Sequence, residues 1–401
     1  MTVDKPVYLS ALGILSALGR GKDQVRDNLF AGLQPGIVSR DDLLVDGKPV
    51  FVGEVKGTLP IGLDSLSPYS SRNFGLSIAA VDEIRTEIDD AVFRYGPARI
   101  AVVMATCTSG IAEGEAAIIE SMTGGSLPAD FDVRAQEIGS TSEAVACYLE
   151  LEGPAISVST ACSSGAHALA MGRRLIRTGL VDAVVAGGAD SLSRLTVNGF
   201  QALSALSEGI CNPFSRNRDG TMMGEGAAIF LIEKQESEIT LYGAGASTDA
   251  YRMTAPEPEG KQLERAIRLA FNDADMPLDA IDYVHLHGTG TLQNDAMESK
   301  VISRVFGSKI PCSSSKAQIG HTLGTAGAMG AAHCWLAAQS NNEERFLPPH
   351  IWDGEGEDDM ISDNLVSMGG HLGSDAQGIF MSNAIAFGGN NTILIIGRST
   401  Q

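Results

Sequence analysis

The stretch at residues 154–168, PAISVSTACSSGAHA, carries the chain from a β-branched run into a helix of small residues. The run ends at Thr160 and the helix begins after Cys162, so a tight turn places this cysteine at a helix N-terminus. Free backbone N–H groups and the helix dipole at such a position favour a thiolate. Free cysteines are also commonly buried in structural roles, so the stretch alone leaves both interpretations open.

Short apolar runs alternate with helical patterns on both sides of this turn. Strands are predicted at residues 99–105, 155–159, 183–186, 227–232, 239–244, 281–286 and 392–396. Helices are predicted at residues 22–31, 163–177, 262–273, 296–305 and 326–339. The alternation indicates an α/β fold with largely buried strands. A segment with two prolines at residues 254–260 marks the best candidate for a boundary, near residue 250.

Composition and charge limit the kind of partner. The 401 residues are 44% hydrophobic and 19% charged, which is a globular composition. Asp and Glu total 49 against 29 Lys and Arg, and the net charge is -20. This charge argues against nucleic acid or an anionic membrane surface as the main partner. The sequence has no apolar run of about 18 residues, so we expect no membrane insertion.

The cysteines indicate the redox setting. The six of them, at positions 107, 147, 162, 211, 312 and 334, form no CxxC pair. Without paired spacing we expect neither a disulfide scaffold nor a metal site, and a reducing, cytoplasmic location fits. Residues 7–19 have the apolar character of a signal-peptide core, but Asp4 precedes them and two glycines interrupt them. A first buried strand and its loop are predicted there instead.

Two later segments favour a catalytic role for Cys162. Residues 285–298, HLHGTGTLQNDAME, place His287 directly after a predicted strand among glycines and hydroxyls. Residues 313–327, SSSKAQIGHTLGTAG, place Lys316 and His321 on a small-residue loop that leads into a helix. Two histidines in such turns point to a catalytic site more than to packing. The other five histidines are interpreted as structural.

In their order and joint presence, these motifs resemble those of the elongating β-ketoacyl-acyl-carrier-protein synthases, the Cys-His-His ketosynthases of the thiolase superfamily. The matching motifs are TACSSG at 160–165, HGTGT at 287–291, KAQIGH at 316–321 and FGGNN at 387–391, with lesser matches at 7–19, 213–226 and 249–256. Each motif is short and weakly specific by itself. Together they cover nearly the whole chain.

The resemblance implies the architecture. It implies a thiolase fold, in which two similar halves form a layered α-β-α-β-α arrangement. We expect the first half at residues 1–250, with Cys162, and the second at 251–401, with His287, Lys316 and His321. The junction of the halves would bury the active site. The family also implies a homodimer, or a heterodimer with a related ketosynthase subunit, and no cofactor.

The resemblance also implies the reaction, a decarboxylative Claisen condensation in fatty-acid, polyketide or polyene biosynthesis, aryl polyenes included. Cys162 would attack an acyl thioester and hold the acyl group. Backbone N–H groups of Cys162 and Phe387 would form the oxyanion hole. His287 and His321 would donate hydrogen bonds to the thioester carbonyl of malonyl-carrier protein, which stabilises the enolate formed as carbon dioxide leaves.

Supporting roles carry over in the same way. Lys316 and Glu298 are expected to form an ion pair that holds the lysine near His321, or else an ordinary structural salt bridge. Thr289 and Thr291 are expected to hydrogen-bond the malonyl group or pantetheine, or to stabilise the turn.

The glycine-rich loop near the C-terminus completes the expected site. Phe387 is expected to act as a gate beside the nucleophile, with a plain core aromatic as the alternative. Gly388 and Gly389 are expected to border the bound substrate. All three belong to the FGGNN motif, so their roles rest on the resemblance.

Acyl carrier protein, bearing acyl or malonyl phosphopantetheine, is the implied partner. Carrier proteins are acidic and this chain is strongly negative, so docking requires a local cationic patch near the pocket mouth. The family places such a patch near residues 71–73 and 249–256. Arg72 and Arg252 are therefore expected to contact the carrier, although solvated surface arginines would look the same.

Departures from the family pattern leave the acyl specificity open. Residues 114–151 lack the proline- and phenylalanine-bearing run that usually precedes the nucleophile motif, and Cys107 stands where glycine is common. Both a housekeeping and a specialised synthase fit. A catalytically silent chain-length partner would lack Cys162, a chain-initiating relative would have asparagine in place of His321, and a thiolase would need a second catalytic cysteine in its C-terminal loop.

Overall fold

The computed structural model describes residues 6–61, 69–129, 131–307 and 310–399. Its strands are β1 Tyr8–Ser16, β2 Gly19–Arg20, β3 Ile37–Arg40, β4 Val50–Gly53, β5 Ile100–Ala105, β6 Ala155–Val158, β7 Ala183–Asp190, β8 Met223–Gly224, β9 Gly226–Glu233, β10 Ile239–Thr248, β11 Tyr283–His285, β12 Cys312–Ser313, β13 Ile379–Ile385 and β14 Asn390–Arg398. Its helices are α1 Lys22–Phe30, α2 Arg72–Asp82, α3 Arg85–Tyr95, α4 Ile111–Gly124, α5 Ser140–Tyr148, α6 Ser164–Arg177, α7 Arg194–Ala202, α8 Lys261–Ala274, α9 Leu292–Phe306, α10 Lys316–Ile319 and α11 Ala326–Ala338.

One mixed sheet of 11 strands contains the same five-strand pattern twice. Its order is β12-β11-β13-β14-β10-β1-β9-β7-β5-β6, with β2 paired to the end of β1. The series β6-β5-β7-β9-β1 and β12-β11-β13-β14-β10 both run third, second, fourth, fifth, first in chain order. In each series the first three strands pair in parallel and the others antiparallel. Antiparallel pairing of β1 with β10 joins them.

The strand pattern also locates the change from one half to the other. The first series ends with β9 at Glu233, and the second begins with β10 at Ile239. β10 takes in the second series the place that β1 takes in the first. By strand order the change therefore falls between Glu233 and Ile239, whereas the sequence-based division at residue 250 would assign β10 to the first half.

Alternate residues of each strand face different helical layers, as a pleated strand requires. In β5, Ala101 and Val103 face α6, whereas Val102 and Met104 face α2 and α5. The second series does the same, with one face toward α11 and the other toward α8 and α9. α6 and α11 pack on each other between the two series. The α/β class and the α-β-α-β-α layering are confirmed.

The predicted elements are present with shifted ends. The strand predicted within residues 7–19 corresponds to β1, the seven other predicted strands to β5, β6, β7, β9, β10, β11 and β14, and the five helices to α1, α6, α8, α9 and α11. The sequence analysis missed the helices α2, α3, α4, α5, α7 and α10 and the strands β2, β3, β4, β8, β12 and β13. In α2, nine of the eleven residues are buried, so the segment lacks the polar face that reveals a helix in a sequence.

A small second sheet supports the C-terminal loops. It has the order β3-β4-β8, and it lies against the turn after α10. The α-carbons of Gly53 and Gly224 leave no room for a side chain, because a Cβ on either would lie about 2 Å from the carbonyl oxygen of Ile319. Within the described residues, no helix has the length and apolar character needed to cross a membrane.

Candidate active site

The turn between β6 and α6 holds Cys162 in a fixed position. Ala161 takes the left-handed conformation, with φ of 52°, which costs an L-residue about 1 kcal/mol and redirects the chain sharply. The hydroxyl of Ser163 donates to the carbonyl of Thr160 at 2.8 Å, and the N–H of Thr160 donates to Ser164 Oγ at 2.8 Å. These local hydrogen bonds stabilise the turn that places the sulfur at the N-terminal end of α6.

The three residues predicted to carry the chemistry meet at one point. Cys162 Sγ lies 3.0 Å from His321 Nε2. The rings of His287 and His321 meet edge to face, with centroids 5.4 Å apart. The sulfur and one nitrogen from each imidazole all lie within 4.8 Å of one another. The side chains are nearly inaccessible, at 6%, 3% and 1% exposure for Cys162, His287 and His321.

Two buried carboxylates at the start of α9 hold the loop that carries His287. Glu298 accepts hydrogen bonds from the backbone N–H groups of His287 and Gly288, both at 2.8 Å. Asp295 accepts from the N–H groups of Thr289 at 3.0 Å and Gly290 at 3.1 Å. Because the loop presents successive N–H groups toward one side, acceptors on the following helix can fix its shape.

Lys316 and Glu298 do not form the direct ion pair expected from the sequence. The ammonium of Lys316 donates instead to the carbonyl oxygen of His287. The carboxylate of Glu298 is occupied by the two loop N–H groups and by Asn383 Nδ2 at 2.9 Å. The His287 peptide therefore lies between them, bound by the lysine through its C=O and by the carboxylate through its N–H.

Backbone pairing positions His321. Its N–H donates to the carbonyl of Met222 at 2.6 Å, and its carbonyl accepts from the N–H of Gly224 at 3.0 Å. This pairing attaches the histidine to β8 and the small sheet. The imidazole is therefore held from both sides of its own peptide, while Nε2 points to the sulfur.

Asp190 is an anchor that the sequence analysis missed. It is fully buried at the end of β7. One oxygen accepts from the N–H groups of Cys107 at 2.7 Å and Thr108 at 2.9 Å, and the other accepts from the N–H of Thr325 at 2.8 Å. Asp190 thus ties the loop after β5 to the loop after His321. The signal in the sequence is a single acid closing the otherwise apolar run at 183–190.

Burial controls the protonation states at the site. Burial raises the pKa of Cys162 to about 11, although the positive charge of Lys316 and the backbone N–H of Phe387 oppose it. Burial, and then the charge of Lys316, lowers the pKa values of His287 and His321 well below their usual range. The resting site therefore holds a neutral thiol and neutral imidazoles, and the thiolate expected from the helix N-terminus is not the resting form.

An aromatic stack closes one side of the site. The ring of Phe387 stacks on Phe200 with centroids 5.4 Å apart and planes inclined by 15°. Phe200 in turn meets the imidazole of His321 edge-on at 6.2 Å. The backbone N–H of Phe387 contacts the sulfur of Cys162, so this residue supplies both a ring and a hydrogen-bond donor. No motif distinguishes Phe200 from the other phenylalanines, of which the chain has 13 in all.

The two glycines after Phe387 shape the loop and do not line the cavity. Gly388 and Gly389 have φ values of 81° and 78°. The N–H of Gly388 donates to the carbonyl of Met253 at 2.7 Å. A Cβ on Gly389 would come within 2.7 Å of Asp249 Cβ. Both glycines therefore let the Phe387 loop pack closely on residues 249–253, which corrects the expectation that they border the substrate.

A cavity of about 420 Å³ leads to the reacting groups. It is lined by the three catalytic candidates together with Phe200, Leu203, Ser204, Ala205, Asp219, Thr221, Arg252, Thr254, Ala255, Pro256, Thr289, Thr291, Leu292, Gln293, Asn294, Ile385, Ala386 and Phe387. The hydroxyls of Thr289 and Thr291 hydrogen-bond each other at 2.8 Å within this lining. They stabilise the turn and at the same time present oxygen atoms to the cavity.

The two arginines expected to dock a carrier differ. Arg252 is exposed at the cavity, with its guanidinium 5.5 Å from the ring centroid of Tyr251. Arg72 lies at the start of α2, where its guanidinium binds the fully buried carboxylate of Glu225 and the carbonyl of Val55. Arg72 is not a lining residue of the cavity. Its guanidinium neutralises a buried charge, so the expectation of a docking role for Arg72 is corrected.

The sequence matches two family models in succession. The Beta-ketoacyl synthase N-terminal domain matches residues 90–238, and the Beta-ketoacyl synthase C-terminal domain matches residues 239–351. The chain belongs to the β-ketoacyl synthase family. The junction of the two models at residue 239 coincides with the start of β10.

Curated relatives of this synthase act in two kinds of pathway. The chain is 30% identical over 380 residues to the tetracenomycin polyketide synthase ketoacyl synthase alpha subunit of Streptomyces glaucescens, which covers 86% of this chain and 87% of the relative. It is 36% identical over 271 residues to 3-oxoacyl-[acyl-carrier-protein] synthase 2 of Rhizobium meliloti (strain 1021), over 63% of this chain and 62% of the relative. The protein is a condensing acyltransferase of the ketosynthase type.

Solved structures confirm the fold. A chain of the solved complex between the ketosynthase ApeO and its chain length factor ApeC, from Xenorhabdus doucetiae, superposes with a TM-score of 0.91 and 42% identity, over 100% of this synthase and 99% of that chain. A chain of the ishigamide ketosynthase/chain length factor superposes with a TM-score of 0.86 and 28% identity, over 99% of this synthase and 100% of that chain. The thiolase fold predicted from the motifs is therefore confirmed.

Proposed function

We propose that this synthase catalyses decarboxylative Claisen condensation of an acyl group on Cys162 with malonyl-acyl-carrier protein. The observation that carries the proposal is the convergence of Cys162 Sγ and nitrogens of His287 and His321 within 4.8 Å of one another, beside a cavity of about 420 Å³. A nucleophile and two neutral hydrogen-bonding imidazoles are the groups that this reaction needs.

The first step is transfer of the acyl group. The thiol of Cys162 lies in hydrogen-bond contact with His321 Nε2, and its sulfur attacks the carbonyl carbon of the acyl-carrier thioester. The N–H groups of Cys162 and Phe387, which already contact the sulfur, stabilise the negative oxygen that forms. The C–S bond to the carrier breaks, the thiol proton passes to the departing pantetheine sulfur, and acyl-Cys162 remains.

The second step is decarboxylation and carbon–carbon bond formation. Malonyl-carrier enters the cavity with its thioester carbonyl toward His287 and His321. Neutral imidazole N–H groups donate to that oxygen as carbon dioxide leaves, because they stabilise the enolate without protonating it. The enolate carbon attacks the carbonyl carbon of acyl-Cys162, the C–S bond to Cys162 breaks, and the released thiolate takes a proton from solvent. The product is a β-ketoacyl-carrier thioester longer by two carbons.

Lys316 keeps the imidazoles in the required state. Burial lowers the pKa values of both histidines most, and the charge of Lys316 lowers them further, which favours neutral donors at physiological pH. The hydrogen bond from Lys316 to the His287 carbonyl fixes this charge at the loop. Its role is therefore electrostatic and positional, and it does not require a direct ion pair with Glu298.

The assembly and pathway follow from the relatives as proposals. We place the chain in a heterodimer with a chain-length-factor-like subunit, because over its whole length it is 42% identical to a chain of a solved complex between a ketosynthase and its chain length factor. The complete set of Cys162, His287 and His321 supports the catalytic subunit over the silent one. Polyketide or polyene synthesis, in the cytoplasm, on carrier-bound chains, fits these relatives.

Turnover of radiolabelled malonyl-carrier by the purified protein, alone and with its partner subunit, tests the proposal. Cys162→Ala should abolish condensation, and intact-mass analysis should show an acyl adduct on the wild type only. Cys147→Ala, which removes an exposed thiol that does not line the cavity, is the matched control and should behave as wild type. An equal adduct on Cys162→Ala would refute the assignment of the nucleophile.

A further inference from the structure

The three reacting side chains also form a set of metal ligands. One sulfur and two imidazole nitrogens, all buried, lie within 4.8 Å of one another. Thiolate sulfur and neutral imidazole nitrogen are the ligands that Zn²⁺ prefers, with bonds of about 2.3 and 2.0 Å. A tetrahedral ion with such bonds holds its ligand atoms about 3.5 Å apart, so side-chain shifts of about 1 Å complete the site.

We propose that the unacylated synthase binds one Zn²⁺ ion through Cys162, His287 and His321, and that this ion inhibits it. Three protein ligands leave the fourth tetrahedral position open toward the cavity, where water completes the coordination. The sequence could not indicate the site, because its ligands stand 125 and 34 residues apart and share no spacing motif. The proposal rests on the proposed function only for its consequence for acylation.

The positive charge of Lys316 opposes a divalent ion at this site, and the negative charge that Cys162 gains on binding offsets it. Lys316 is the cation that acts on all three ligands, and its ammonium is bound to the His287 carbonyl. The buried carboxylates of Glu298 and Asp295 act on Lys316 with opposite charge. The thiol loses its proton when the Zn–S bond forms, so the ligand set contributes one further negative charge and one proton goes to solvent.

Zinc and acyl group exclude each other. The sulfur of a thioester is uncharged and is a weak ligand for a metal. When the thiolate of Cys162 is bound to zinc, it is not free to attack a thioester carbonyl. The acylated enzyme therefore has two ligands in place of three. Bound zinc also shields Cys162 from alkylation and oxidation, because these reactions need the free thiolate.

Calorimetric titration of the chelator-treated full-length protein with ZnSO₄ tests the site directly. Wild type should bind one ion per chain, with release of one proton measured from the heats in two buffers. Cys162→Ala and Cys162→Ser should abolish this binding, and His321→Ala should weaken it by at least about 100-fold. Cys147→Ala and His371→Ala, which remove an exposed thiol and an exposed imidazole, are matched controls and should leave it unchanged.

Alkylation by iodoacetamide, followed by peptide mass analysis, supplies a second readout that needs no activity. Zn²⁺ should protect Cys162 and leave Cys147 reactive, whereas Mg²⁺ should protect neither. Zinc binding that survives in Cys162→Ser, or that is equally tight in the acylated protein, would overturn the proposal. If the protein never becomes acylated but binds zinc in a Cys162-dependent manner, the proposed function fails and the metal site stands.

Discussion

The two halves of the molecule share a topology and divide the chemistry. In each half a central helix follows the third strand of the five-strand series, α6 after β6 and α11 after β12. In the first half the connection is a tight elbow that carries Cys162. In the second it is a longer buried loop that carries Lys316 and His321. The duplicated frame thus brings the proposed nucleophile and its hydrogen-bonding partners to one point from separate connections.

The two connections are also stabilised differently. The Cys162 elbow is held by hydrogen bonds within residues 160–164, which are local and readable in the sequence. The His287 loop is held by Glu298 and Asp295 from the following helix α9, and the loop after His321 is held by Asp190, which lies on the distant strand β7. A short turn can define itself, whereas a long buried loop needs acceptors from elsewhere to satisfy its N–H groups.

The largest expected effect separates the chemical roles of the halves. His287→Ala or His321→Ala should slow condensation by about 10²–10³-fold, because each removes a donor to the enolate oxygen. Transfer of the acyl group to Cys162 should persist in both variants. Radiolabelled malonyl-carrier turnover measures the first quantity and intact mass the second. Loss of acylation with decarboxylation intact would contradict the assignment of the two histidines to decarboxylation and condensation.

The next largest effect concerns Asp190, the buried acid that binds the loop after β5 in the first half and the loop after His321 in the second. Burial raises the pKa of Asp190 to about 6 in the folded protein, against about 3.9 in an unfolded chain. Because the folded pKa is the higher one, the stabilising contribution of protonated Asp190 is complete below about pH 4 and is lost as the pH rises through 6. That loss amounts to about 3 kcal/mol at neutral pH.

Urea unfolding of Asp190→Asn tests this. The variant should unfold more easily than wild type, because its amide NH₂ faces N–H donors and leaves them without an acceptor, a cost of about 2 kcal/mol. The gap in unfolding free energy between the two should shrink from pH 4.5 to pH 7.5, since only wild type loses stability by titration. Asp375→Asn, at an exposed position, should show no such trend. A gap independent of pH would contradict the assignment.

Two glycines test whether the central helices α6 and α11 are equally sensitive to an added methyl group at their contact. A Cβ on Gly165 of α6 would lie 2.5 Å from the backbone N of Ala328, and one on Gly327 of α11 would lie 2.6 Å from the backbone N of Ala166. Gly165→Ala and Gly327→Ala should therefore each lower the unfolding free energy by about 1–3 kcal/mol, in similar measure.

The control for this pair is Gly199→Ala in α7, where no atom lies within 4 Å of the added Cβ. That variant should gain about 0.5–1 kcal/mol from helix propensity. Thermal or urea unfolding measures all three. Stabilisation by either central variant would mean that the two helices separate without cost.

The smallest effect concerns the mouth of the cavity. Arg252→Glu should raise the apparent KM for carrier-bound substrates several-fold with kcat unchanged, because exposed ion pairs contribute at most about 1 kcal/mol each. Self-acylation from a small carrier-free thioester should not change. Arg265→Glu, on the exposed side of α8, is the matched control. If both kinds of substrate suffer equally, Arg252 supports the pocket and not the docking.

Much of the fold and the catalytic set was predictable, for reasons that differ by element. The strands β5, β7 and β9 are continuous apolar runs, and such runs are legible without knowledge of their neighbours. α2 is buried nearly all round, and β13 carries Ser382 and Asn383 among its apolar residues, so neither shows a regular pattern. The ends of the predicted elements differ from those in the structure, because local propensity carries no information about pairing with strands that are distant in sequence.

The sequence by itself determined the motifs, and with them the family, the fold and the choice of Cys162, His287 and His321 as candidates for catalysis. It could do so because these residues stand in short turns whose glycines, hydroxyls and flanking runs are local. The tertiary structure alone decided the partner of Lys316, the anchoring by Asp190 and the burial of Glu225 against Arg72. It also decided that the resting thiol is neutral. These properties depend on desolvation and on charges brought together from distant segments, and no stretch of sequence contains them.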